Sequence, residues 1–344
     1  MAAIDTSPLD AEYRTLTAGC GLLDRSERGK LALTGAGAKE FLAGQVTNDI
    51  EALSPGSGCY AAFLTPKGKM LGDLRILDLG DELLLDTERV ALQTLFDMIR
   101  RFKIGYDVEL HKRTVERGLL SLIGPTALQI AARAVGPDGA MGSAERTAGP
   151  AAGVLALPDL EHANMRAEVE GLGCTLIRTD VGVDILCAAS DREAVCAALL
   201  SAGAQPASEA ASEIVRVEHG RPRYGIDLDD TVIPQEASLN ERAVSFTKGC
   251  YVGQETVARL HYRGKPNRHL RGLRLSAPGE AGAELRLGER VVGRLTSAVL
   301  SPAHGPIGLA LVRREAEPGA TLTVGDGETH AVVVELGGKP NMRW

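Results

Sequence analysis

Aromatic side chains are scarce: five Phe, six Tyr and one Trp in 344 residues. Four of them, Tyr224, Phe246, Tyr251 and Tyr262, crowd into one short segment. That segment is either a local piece of core or the wall of a pocket for something flat. No apolar run approaches the roughly 18 residues of a membrane-spanning helix, so no membrane partner is expected. Basic residues do not predominate: 38 Lys and Arg stand against 45 Asp and Glu, for a net charge of −7. Binding of nucleic acid by phosphate neutralisation needs the opposite balance, and nucleic acid is not an expected partner. The opening MAAIDTSPLD has neither the basic nor the apolar stretch of a secretory signal, so the expected location is cytoplasmic.

Paired cysteines are also missing. Cys20, Cys59, Cys174, Cys187, Cys196 and Cys250 include no C-x-x-C and no His at finger-like spacing. No metal site is expected from local spacing, nor a disulfide framework in a cytoplasmic chain of this size. All but Cys250 read as small buried apolar groups.

What is present is a mixed pattern of strands and helices, long enough for two or three packed units. Residues 10–115 read as mixed α/β. A strand is expected over 30–35, a helix over 38–45, a hairpin around Pro66-Lys67-Gly68-Lys69, strands at 72–79 and 82–86, and an amphipathic helix within 87–101. A second unit begins near 116 with a β–α–β–β–α order, interrupted by a Gly/Ala/Pro-rich loop over 135–153 and with Asp191 placed as a helix N-cap. From about 270 short strands alternate with Gly- and Pro-containing turns, the pattern of a small antiparallel barrel or sandwich.

The chemistry concentrates between Arg216 and Arg271. Thr247 is placed to cap a helix over 254–261, so Cys250 would lie just ahead of the helix's positive end, with Lys248 two residues away. Both effects favour a thiolate. An inert thiol beside a helix cap fits the same spacing. Asp73 falls on a mostly apolar strand, where a carboxylate needs a partner. Glu218 lies between Arg216 and Arg221, which suits an ion pair. It equally suits a carboxylate accepting two hydrogen bonds from an amidine-like heterocycle edge such as a pterin.

The run Lys248-Gly249-Cys250-Tyr251-Val252-Gly253-Gln254-Glu255 is similar to the K-G-C-[FY]-x-G-Q-E signature of the YgfZ family. Those are folate-binding proteins that support assembly or repair of certain iron–sulfur enzymes, and relatives of the glycine cleavage aminomethyltransferase, the T-protein. Gly44-Gln45-Val46-Thr47, Thr65-Pro66-Lys67-Gly68-Lys69 with Asp73, Arg216-Val217-Glu218-His219-Gly220, and Gly293 to Ser297 with Ser301-Pro302 resemble further family segments along nearly the whole chain. The resemblance implies an α+β fold of three domains in a ring. These would be a mixed α/β folate-binding domain (1–115 plus 213–268), a ferredoxin-like α/β domain (116–212) and a C-terminal antiparallel β-barrel (269–344).

It also implies tetrahydrofolate, or a one-carbon-substituted folate, as cofactor, and iron–sulfur client enzymes or assembly proteins as partners. Glu218 and Asp73 would hold the pterin, Tyr251 would line the pocket, and Cys250 with Lys248 would carry the thiol chemistry. Arg259 belongs either to a solvated helix face or to the holder of a polyglutamate tail. One departure stands out. The transferases carry two adjacent aspartates where this chain has Gly72-Asp73, which weakens the alternative reading as a folate-dependent aminomethyl- or methyltransferase.

Overall fold

A computed structural model describes residues 7–136 and 157–336, which leaves most of the expected 135–153 loop outside them. Three sheets organise the chain. The first is antiparallel, with strands in the order Gly58–Leu64, Met70–Asp78, Leu83–Thr87, Gly29–Thr34 and Glu109–Lys112. The second runs Gln205–Pro206, Gly21–Asp24, Arg117–Ile123, Gly182–Ala188, Leu172–Thr179 and Asn164–Val169. Residues 21–24, grouped by sequence with the first unit, thus hydrogen-bond inside the second sheet. The third is a closed barrel of Arg268–Leu275, Gly305–Arg313, Arg290–Ser301, Glu284–Leu287, Thr321–Val324 and Thr329–Val334. Among the described residues no helix is long and apolar enough to cross a membrane.

Strand periodicity decides what each face carries. Leu74 and Ile76, with Leu31, Leu33, Leu83 and Leu85, pack under the helices Ala38–Ala43 and Leu92–Phe102. The alternate residues Asp73, Arg75 and Leu77 face the second sheet. There Leu77 and Leu84 meet Leu119, Ile177 and Leu186 in a small apolar cluster. One residue pair further along, the same interface turns polar: Arg75 reaches Asp86 on its own sheet and Asp184 on the other, both at 2.6 Å. The second sheet's outer face is covered by Ala127–Val135 and Arg192–Ser201. Asp191 flanks the latter helix without making a side-chain capping bond. A Cβ at Gly182 would lie 2.0 Å from the carbonyl oxygen of Leu122, so only glycine allows this strand its approach.

The helix Glu209–Glu218, capped by Ser208 accepting from the Ala211 amide, joins the units. Its Ile214 and Val215 pack on Tyr13 and Leu16 of the helix Pro8–Ala18. Val217 packs on Leu270, Ile307 and Leu309 of the barrel. The polar tie is stronger. Asp227, whose side chain is fully buried, accepts from Arg216 Nη1 at 2.6 Å and from Ser297 Oγ at 2.7 Å. Thr296 Oγ1 and the Arg223 amide also donate to it. Glu218 in turn accepts from Tyr13 and from Ser301. The segments Arg216-to-Gly220 and Thr296-Ser297…Ser301, far apart in sequence, are therefore one buried network.

Removing the acceptor leaves Arg216 and two barrel hydroxyls facing each other in the interior. Asp227→Ala is expected to lower unfolding free energy by about 2–3 kcal/mol, since Arg216 keeps Glu213 but loses a charged hydrogen bond while the barrel hydroxyls lose this acceptor. Thr296→Val should cost only about 1 kcal/mol. Urea unfolding of both variants reads the difference, and equal small losses would show that Asp227 is not the tie.

Candidate functional site

Where the facing sheets turn polar they leave a cavity of about 210 Å³, lined also by the helix Glu209–Glu218 and the segment after it. Arginine dominates its wall, yet every arginine there is ion-paired. Arg25 and Arg223 meet Glu209, and Arg28 meets Asp86 and Glu88. Arg75 meets Asp86 and Asp184, and Arg216 meets Glu213 and Asp227. Arg221 meets Asp180, and Arg242 meets Glu161. Arg28 and Arg75 together hold the Asp86 carboxyl far below the usual range against the opposing effect of burial.

Asp73 and two histidines, His162 and His219, stand on this wall outside the arginine–carboxylate pairs. Asp73 has no ion pair among the described residues; its Oδ2 accepts from the Tyr60 hydroxyl at 2.6 Å. Burial pushes its carboxyl up to about 6, with the Tyr60 bond pulling the other way. His162 is 4% exposed, with no hydrogen-bond partner at either ring nitrogen among the described residues, and the buried Nδ1 of His219 lacks one as well.

Gly72 accounts for the single aspartate. Its Cα pairs with Phe63 across the hairpin, and a Cβ there would sit 2.6 Å from the Phe63 ring and 2.8 Å from Ala91. A second carboxylate at 72 has no room beside that ring.

The remaining expected site residues are placed elsewhere. Glu218 does not line the cavity; its carboxylate is held by Tyr13 and Ser301 on the far side of its helix. Tyr251 is core, packed with Leu64, Met70 and Val257, and burial pushes its phenol up to about 12. Tyr224 does reach the cavity wall. Phe246 instead stacks on His261 with centroids 3.8 Å apart, so the aromatic residues of this segment do not converge on one pocket.

The Cys250 loop lies against the other side of the first unit. Lys248 Nζ donates to the carbonyls of Ala43 and Val46, and the Val252 amide donates to Gly44. Its ammonium also lies 5.0 Å from the Tyr251 ring. Burial pulls the Lys248 amine down to about 8. Lys248 is thus an anchor on the end of the helix Ala38–Ala43, where backbone carbonyls attract a cation. The helix after the thiol is Gln254–Arg263, and its N-cap is Gly253 at φ 85°, not Thr247. A Cβ at Gly253 would meet the Thr65 carbonyl at 2.6 Å, because the loop sits directly on the Thr65–Lys69 hairpin. Three quoted motifs, Gly44 to Thr47, Thr65 to Lys69 and Lys248 to Glu255, therefore pack together. They leave Cys250 exposed and outside the cavity lining. Arg259 is exposed on that helix.

Histidine reach into the cavity was not legible from the sequence. His162 precedes a strand by two residues and carries no motif; a left-handed backbone, φ 70°, aims it.

Two measurements follow from these environments. The Asp73 carboxyl should titrate near 6 by carbon-13 NMR, and Tyr60→Phe should move it higher. Since the folded value lies above the ordinary 3.8, the fold prefers the neutral acid. Stability should fall as pH rises between those two values, and Asp73→Asn should flatten that slope. In the native chain at pH 8, iodoacetamide should label one thiol, Cys250. Burial raises Cys20 and Cys187 to about 11, Cys59 and Cys174 to about 12, and Cys196 upward. Labelling that survives Cys250→Ser would contradict this assignment.

The comparisons agree with the architecture. Residues 5–248 match the model of the GCVT N-terminal domain, and residues 268–337 match that of the glycine cleavage T-protein C-terminal barrel domain. A chloroplastic protein of Arabidopsis thaliana, named as a candidate transferase, is 28% identical over 90% of this chain and 69% of its own. An aminomethyltransferase of Rubrobacter xylanophilus is 27% identical over 95% of this chain and 85% of its own. The solved glycine cleavage aminomethyltransferase T of Bartonella henselae superposes with a TM-score of 0.81, covering 98% of this chain and 92% of that one at 23% identity. The two facing sheets, the closed barrel and a match running through residues 5–248 show that this chain belongs to the glycine cleavage T-protein superfamily.

Proposed function

We propose that the chain binds tetrahydrofolate, or a one-carbon-substituted folate, in the cavity between the sheets. In the same reading it presents Cys250 to partner proteins, as an accessory factor in assembly or repair of iron–sulfur enzymes. The observation that carries this is a separation: the unpaired carboxyl Asp73 lies inside the cavity, whereas the thiol lies outside it on an exposed loop. A thiol that took part in chemistry on the bound folate would have to share the cavity with it. One that meets a protein belongs on the surface.

The residues present fit a folate. The cavity's cations are committed to carboxylates, so the groups left to a ligand include a buried carboxyl, the imidazoles of His162 and His219 and the phenol of Tyr60, all hydrogen-bonding groups. That set suits a donor- and acceptor-rich heterocycle. When bound, a folate supplies one-carbon groups; the chain's own part is to orient it and hold a proton at Asp73. Glu218 acts from behind, fixing the helix Glu209–Glu218 through Tyr13 and Ser301. Lys248 holds the Cys250 loop in place, Tyr251 supports it from the core, and Arg259 stands on the exposed helix beside it, available to a partner.

A second reading, a folate-dependent aminomethyl- or methyltransferase, draws on one observation. Burial keeps the Asp73 carboxyl near 6, able to hold and release a proton close to neutral pH. It must do so alone, since Phe63 fills the neighbouring space.

Calorimetric titration with tetrahydrofolate tests the main reading. Saturable binding is expected in the wild type, reduced at least tenfold in Asp73→Ala and unchanged in Cys250→Ser. No binding by the wild type at near-millimolar folate would overturn both readings. Conversion of an aminomethyl donor to a one-carbon folate, lost in Asp73→Ala and retained in Cys250→Ser, would favour the transferase.

A further inference from the structure

Among the described lining residues other than glycine, His162 alone has a left-handed backbone. Its backbone occupies the left-handed region at φ 70°, which non-glycine residues rarely adopt. Neighbours hold it there. The His162 amide donates to the Arg178 carbonyl at 2.9 Å, and the His162 carbonyl accepts from Asn164 Nδ2 at 3.3 Å. Asn164 is itself fastened to the Ser57 carbonyl at 3.0 Å, and Gly58 makes room, since a Cβ there would lie 3.0 Å from that of His162. A strained residue fixed this firmly brings its ring to the cavity wall, yet both ring nitrogens lack partners among the described residues. An unsatisfied buried polar group is destabilising, so the arrangement makes sense as one completed by a ligand.

The surroundings specify what kind of ligand. Burial, with Arg75 and Arg242 nearby, pulls the imidazole down to about 3, so at neutral pH it carries no charge and offers one donor and one acceptor. Asp180 and Asp184 oppose that shift without reversing it. Arg242 is already paired with Glu161, and Glu161 Oε1 lies 3.6 Å from His162 Nε2. A carboxylate brought here would find no free cation and a resident negative charge. A neutral heterocycle would find a continuous polar strip: Asp73, the Tyr60 hydroxyl, the Arg242 guanidinium 4.6 Å from the Tyr60 ring centroid, Glu161 and His162.

We propose that His162 is a binding residue of the cavity, whose imidazole hydrogen-bonds the heterocyclic end of a reduced folate and not its glutamate carboxylates. This rests on the folate reading above and adds to it a contact from the second sheet's side of the cavity.

Calorimetry with two probes separates the two claims. Tetrahydrofolate carries both ends, and 6-methyltetrahydropterin carries the heterocycle alone. His162→Ala is expected to weaken both by the same factor, about ten- to a hundredfold. His162→Asn, whose amide tolerates the left-handed backbone and keeps a donor and an acceptor, should lose less than tenfold. Nitrogen-15 NMR of the imidazole should show one His162 nitrogen shifting on addition of the pterin alone. Wild-type affinity in His162→Ala, alongside loss of binding in Asp73→Ala, would overturn the inference and leave the folate reading standing. So would an effect on tetrahydrofolate that vanishes with the pterin. Absence of wild-type binding to either probe would overturn the folate reading and the inference with it.

Discussion

One buried carboxylate decides how the rest of the molecule is assembled. Asp227 collects hydrogen bonds from a helix arginine, a loop amide and two hydroxyls of a barrel strand. Burying a lone charge would be prohibitive, but one answered on all sides by donors fixes a single relative placement. Helix Glu209–Glu218 is thereby set against the barrel on one side while its Glu213, Val215 and Arg216 line the cavity on the other. The barrel, which contributes none of the cavity's lining residues, still determines where a cavity wall stands.

The cavity itself follows from how two sheets are joined. Along facing strands the contact begins as leucine on leucine and isoleucine, then becomes a lattice of arginines and carboxylates. Ion pairs of this kind recover little more than the cost of dehydrating them, so they do not pull the sheets closed as apolar contacts do. They hold the sheets at arm's length with charges balanced. The interior left between them is polar without being strongly charged, which is why groups outside the ion pairs, Asp73 and the imidazoles of His162 and His219, set its chemistry.

Much of this was legible in the sequence. The short strands of the barrel were readable from alternation and turn residues, though those at 290–301 and 305–313 are not short. Chain reversal there keeps residues in strand pairing that turn chemistry alone would release. The amphipathic helix expected within 87–101 forms at Leu92–Phe102, because Leu83–Thr87 is claimed by the sheet first. At the site, Asp73 and the exposed Cys250 were visible because a carboxylate on an apolar strand and a cysteine in a Gly-flanked polar loop are local signals. The side on which Glu218 faces was not legible, because helix phase, not the Arg-x-Glu-x-Gly spacing, decides it, and its partner Ser301 lies 83 residues away in the chain. Lys248 was expected to act on the thiol beside it, whereas its partners are carbonyls more than 200 residues upstream. His162 had no sequence signal at all, since its role depends on a backbone angle held by distant neighbours.

The arginine–carboxylate wall has a further implication for how such a site can change over generations. The same side chains that shape the cavity hold the two sheets together, so a substitution that reshapes the cavity for a new ligand also removes part of the joint. Substitutions at Arg75, Asp86 and Asp184, which share ion pairs, are expected to be non-additive in their effect on stability. Positions such as Asp73 and His162, which touch the cavity outside the arginine–carboxylate pairs, lie outside that coupling. Change of ligand preference within this architecture is thus expected to cost least at wall residues outside the arginine–carboxylate joint.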